Sequence, residues 1–172
     1  RGPWKPEDTH VHGGTRLLTR AGSMPVLIPQ DRLQEALAEG PVVFETMHDI
    51  TLYEGNREIL FYTWGETDCC LPRGATRATL AIPEDANISP PVLKEGDVLI
   101  FEELCDPETK GPADPSHRHA VRLKSVSYTS EEDAQPLTDP LTGTPIIEIE
   151  WEEEDALPFP LCISLPDMPN VS

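Results

Sequence analysis

The chain is short of basic residues, of long apolar runs and of cysteines. Thirteen Lys and Arg stand against 31 Asp and Glu, a net charge of −18 over 172 residues. A surface this acidic does not hold nucleic acid or an anionic membrane by broad electrostatics. No window approaches the roughly 18 to 20 consecutive apolar residues of a membrane helix, and no apolar signal core follows the N-terminus, so a soluble chain is expected. Four cysteines, Cys69, Cys70, Cys105 and Cys162, are few for a disulfide-framed secreted module, and a reducing compartment is the expected home. G-x-S-x-G elbows, phosphate-binding glycine loops, dinucleotide fingerprints and internal repeats are all missing. The apolar fraction of 38% is low for a compact globule, while 19 prolines and 11 glycines imply many turns. Helix does not dominate such a chain. Starting at Arg1 without a methionine, it reads as a piece of a longer polypeptide.

What is there centres on residues 93–123. Gly96-Asp97 signals a tight turn, and Val98, Leu99, Ile100 and Phe101 form an apolar run of the length of a buried strand. After a loop with Pro107, Gly111, Pro112 and Pro115, residues 120–126 supply its partner, Val121 and Leu123 facing one way and Arg122 and Lys124 the other. Residues 146–152 alternate cleanly, with Ile147, Ile149 and Trp151 inward and Glu148, Glu150 and Glu152 outward, where Arg122 and Lys124 are the expected cross-strand partners. Further strands are expected at 42–44, 58–64, 75–82 and 161–165. Both faces of 58–64 are bulky, which implies cover on both sides.

The one helix spans 31–39, with Asp31 as its cap, Leu33, Ala36 and Leu37 as its apolar stripe and Gly40-Pro41 as its end. Ahead of it, residues 1–29 lack periodicity and read as an extended arm. Residues 130–144, rich in Glu, Asp, Pro and Thr, read as a mobile surface loop. The expected fold is mainly β: a small β-barrel or sandwich with one short helix and an extended N-terminal arm, divided as arm and helix over 1–40 and β domain over 41–172.

Candidate chemistry is sparse. His10 and His12 lie two apart on an extended segment, point the same way and can share a metal, but no third ligand is near in sequence, which leaves a polar linker. Gly111 followed by His117-Arg118-His119 matches the opening half of the cupin metal motif. The match fails at Leu123 and Lys124, where that motif needs a glutamate. His117 and His119 then read as loop histidines with local hydrogen bonds. A mixed site from Cys69, Cys70, His117 and His119 is conceivable, Cys105 and Cys162 read as small core residues, and with 31 acids any carboxylate pair is a cheap coincidence. No catalytic, cofactor or metal site is expected on this reading.

Six motifs in order carry a resemblance: V-F-E-T-M-H-D from Val43, F-Y-T-W-G from Phe61, C-C-L-P-R-G-A-T from Cys69, G-D-V-L from Gly96, R-H-A-V-R-L from Arg118 and A-L-P-F-P-L-C from Ala156. Together they resemble an internal region of the large baseplate assembly proteins of phage-tail-like contractile injection systems, related in role to J-type wedge proteins. The resemblance implies a structural module rather than an enzyme. It implies contacts with other baseplate proteins and with copies of the parent protein, and no small-molecule substrate, nucleic acid, membrane or cofactor. It also implies a cytoplasmic location during assembly and then a place in a phage-tail-like particle. Arg73 and Arg77, in the most family-like stretch, are the interface candidates, against internal pairing with the surplus acids. Two alternatives stand beside it: a metal-dependent β-barrel enzyme using His117 and His119, and a carbohydrate-binding module with Trp64 or Trp151 as stacking platform.

Overall fold

The computed structural model describes residues 10–19, 24–83, 90–103, 116–130 and 134–164; Cys105, Gly111 and the prolines at 107, 112 and 115 lie outside them. The chain is mainly β, with 37% strand and 12% helix. It divides into two compact units, Arg1–Tyr53 and Glu54–Ser172.

In the first unit, β1 (His10–Val11) pairs antiparallel with β4 (Ile50–Thr51), and β2 (Arg16–Leu18) pairs with β3 (Val43–Glu45). Residues 10–18 are extended, as their lack of periodicity implies. Each of their strands nevertheless has a hydrogen-bonded partner, which ties them to residues 43–51 rather than leaving a free arm. Between β2 and β3, a 3-10 turn at Gln30–Arg32 runs into α1 (Leu33–Ala38). Asp31 makes no capping bond, because the turn starts one residue earlier, at Gln30, with Pro29 in the capping position. Arg32 Nε donates instead to Glu35 Oε2 at 3.0 Å. Gly40, at φ +72°, ends the helix as expected, its N–H donating to Leu37 O at 3.1 Å.

In the second unit, β6 (Arg77–Ala81), β7 (Val98–Glu102), β8 (Arg118–Ser127) and β9 (Ile146–Trp151) form a curled half-barrel sheet in the order β6-β9-β8-β7. Period-two alternation puts Ile147, Ile149 and Trp151 of β9 and Val121 and Leu123 of β8 into one core with Leu80, Leu93, Phe101, Leu157 and Leu161. The Gly96-Asp97 turn forms as expected, with the Gly96 N–H donating to Leu123 O at 2.8 Å. Separately, β5 (Cys69–Leu71) pairs antiparallel with β10 (Leu161–Ser164).

Four expectations change. β7 is an edge strand with one face on the core, so Phe101 is buried while Val98 and Ile100 are 55% and 69% exposed. Within 58–64 the ladder reduces to a single bridge, Phe61 to Leu80, because Trp64 and Gly65 both take positive φ and turn the chain away. On β8, an irregularity between Leu123 and Ser125 takes Lys124 out of register, so Ser125 and Ser127 stand opposite Glu150 and Glu148. Among the described residues no ion pair joins Arg122 or Lys124 to the β9 carboxylates; the β8 pairing that does form is Arg118 to Glu102 at 2.9 Å. Finally, the described part of the 130–144 loop is hydrogen-bonded: Asp139 is buried, its backbone N–H donates to Thr144 O at 2.9 Å, and Thr138 bridges Pro145. Among the described residues no helix is long and apolar enough to cross a membrane.

Candidate functional site

The expected loop histidines divide: His117 lies just ahead of β8, while His119 is on it, paired with Phe101 of β7. His117 Nδ1 lies 2.7 Å from Glu103 Oε2, a carboxylate whose side chain is only 2% exposed, and the His117 ring stacks on Phe159 at 4.7 Å. His119 Nε2 lies 2.9 Å from the Asp155 carbonyl oxygen. A carbonyl only accepts, so His119 Nε2 carries the proton and has no lone pair for a metal. Each histidine thus has a local hydrogen-bonding partner.

The cysteines depart from their expected reduced state. Cys70 and Cys162 form a disulfide across 92 residues of sequence, because the β5–β10 register sets them directly opposite. Cys70 is therefore no ligand, and the mixed cysteine–histidine site does not form. Cys69 keeps a free thiol, which burial, and then Glu66 and Asp68, push above its ordinary pKa. A raised pKa leaves little thiolate at neutral pH.

Beside β5, a groove of about 370 Å3 is lined by Tyr62, Trp64, Arg77, Glu148 and Ile163. Trp64 is 47% exposed and meets Tyr62 edge to face at 5.4 Å. A Glu66 N–H to Thr63 O bond at 3.1 Å spans Trp64 and Gly65, whose φ values are 58° and 83°. This is the primed turn geometry that glycine favours and tryptophan resists. Trp151, by contrast, is buried at 2% exposure and offers no platform. Arg73 and Arg77 are both exposed, and among the described residues neither enters an ion pair.

The N-terminal histidines gain the third group that their sequence neighbourhood lacks. The register His10 to Thr51 and Val11 to Ile50 continues to place His12 across from Asp49. Asp49 Oδ2 is 3.4 Å from His10 Nε2 and 3.6 Å from His12 Nδ1. The other oxygen, Oδ1, accepts the Gly13 N–H at 2.8 Å. That hydrogen bond foremost, with His12 and His10 beside it, holds the Asp49 carboxyl below the usual carboxylate range. Nothing in the spacing of 36 residues between Gly13 and Asp49 points to this contact. Only the pairing of two two-residue strands reveals it.

Comparisons of the chain with family models, with curated proteins and with solved structures return no match.

Proposed function

We propose that the chain is a structural module of a baseplate wedge protein in a phage-tail-like contractile injection system, acting by protein–protein assembly rather than by turnover. The observation that carries this reading is the state of Arg73 and Arg77. In a chain with 31 acids, Arg73 and Arg77 stay exposed and, among the described residues, outside ion pairs, in the stretch that most resembles the family. Cations left unpaired among so many carboxylates are available to an acidic surface of a neighbour. Large apolar side chains in water support the same reading, with Val26 at 98%, Met47 at 95% and Leu27 at 82% exposure. The partners are other baseplate proteins and further copies of the parent protein. The Cys70–Cys162 bridge suits the particle after release into an oxidising medium better than the cytoplasm where assembly starts.

The test is Arg73→Glu with Arg77→Glu, introduced into the parent protein and also into the isolated chain. Failure of particle assembly, with the circular dichroism and melting of the isolated chain unchanged, is the expected result. Normal particles from the double variant would overturn the reading.

A second reading has one observation in its favour, the Tyr62–Trp64 groove, whose exposed indole and flanking carboxylates suit a sugar ring. Binding to a glycan array that disappears in Trp64→Ala would favour it over assembly.

A further inference from the structure

The first unit carries a cluster that the assembly reading does not use. His10, His12 and Asp49 each offer one ligand atom, and the three atoms lie within 4.8 Å of one another. We propose that His10 Nε2, His12 Nδ1 and Asp49 Oδ2 bind one divalent first-row transition-metal ion of the zinc, cobalt, nickel or copper class.

The distances separate this from an ordinary histidine–aspartate contact. At 3.4 and 3.6 Å the two nitrogens stand too far from Oδ2 for a good hydrogen bond, which lies near 2.7–3.2 Å. A tetrahedral ion with bonds of about 2.0–2.1 Å holds its ligand atoms roughly 3.4 Å apart, which both nitrogen-to-Oδ2 distances match, while the two nitrogens lie within 4.8 Å of each other. Imidazole and carboxylate donors suit that class of metal over magnesium or calcium, which prefer oxygen.

The carboxylate is also positioned from behind. Gly14, at φ +79°, turns the chain over residues 46–49, its N–H donating to Thr46 O at 2.7 Å. A Cβ at Gly13 would stand 3.1 Å from His48 Cα, so glycine lets the backbone approach closely enough for its N–H to hold Asp49 Oδ1. The His12 carbonyl accepts both Thr15 Oγ1 at 2.6 Å and Thr46 Oγ1 at 2.7 Å, which fixes the backbone under the second histidine. Supporting bonds of this kind orient metal ligands. The side chains stay 47 to 76% exposed, so the remaining coordination positions face water.

The experiment is titration calorimetry of the full 172-residue chain with zinc chloride and, separately, nickel chloride. One ion per chain is expected. His10→Ala, His12→Ala and Asp49→Asn should each weaken binding by roughly tenfold or more. Asparagine keeps an acceptor for the Gly13 N–H, and far-UV circular dichroism confirms the fold of each variant. His48→Ala and the His117→Ala/His119→Ala pair should leave the affinity unchanged. Ring-nitrogen NMR spectra should show metal at Nε2 of His10 and at Nδ1 of His12. Absence of binding, binding that survives Asp49→Asn, or binding lost only with His117 and His119 would each overturn the proposal.

Discussion

The Tyr62 hydroxyl donates to Asp139 Oδ2 at 2.5 Å, joining the chain ahead of β5 to the loop ahead of β9 across 77 residues. Asp139 Oδ1 meanwhile accepts the Leu141 N–H at 2.7 Å, so the buried carboxylate organises its own turn. These bonds, the Tyr62 bond foremost, hold the Asp139 carboxyl below its usual pKa. A depressed folded pKa contributes stability above the unfolded value, near 3.9, which is lost as pH falls through the folded value. Asp139→Asn should therefore lower the urea midpoint at pH 6 and flatten its decline at lower pH relative to wild type. Equal midpoints of the two proteins at every pH would refute this role for the carboxylate.

Reduction of the Cys70–Cys162 bridge should cost about 4 to 5 kcal/mol, the loop-closure value for a separation of 92 residues. Cys70→Ala/Cys162→Ala should match the reduced wild type, and added reductant should not destabilise it further. Denaturant melts of the four samples decide the matter, with peptide mapping to identify the linked pair.

Removing His117 leaves the Glu103 carboxylate buried without the partner that stands 2.7 Å from it. His117→Ala should destabilise by about 2 kcal/mol, the order of an unsatisfied buried polar group. His117→Gln, which retains a donor, should recover part of it. A loss under about 0.5 kcal/mol in the alanine variant, typical of surface positions, would mean that Glu103 finds water instead.

Legibility followed the range of the interaction. The alternation of Ile147, Ile149 and Trp151 is written in consecutive residues, and all three are buried. Gly40 and Gly96 mark their turns because a positive φ singles out glycine locally. Contacts between distant segments left no such trace. Cys70 and Cys162 meet through a register that composition does not encode, and the same holds for Asp49 between the two histidines. The turn expected from Gly65 to Asp68 starts one residue earlier, at Trp64, unmarked in the sequence because tryptophan rarely takes the φ of 58° found there. Lys124 missed its expected glutamates through a one-residue irregularity that no residue type announces.

The edge position of β7 gives the sharpest contrast between neighbours. Ile100 is 69% exposed and Phe101 only 5%, although both belong to one apolar run. Phe101 packs edge to face on Phe61 at 4.9 Å and on Trp151 at 5.1 Å, so Phe101→Ala opens a cavity and should cost about 3 to 5 kcal/mol. Ile100→Lys removes no core contact and should stay within about 0.5 kcal/mol of wild type. Because β7 has no neighbour on its outer side among the described residues, the same lysine should also suppress edge-to-edge pairing, read as less self-association at high concentration in analytical ultracentrifugation. A large loss of stability from Ile100→Lys would mean that this face is covered, and the sheet order would have to be revised.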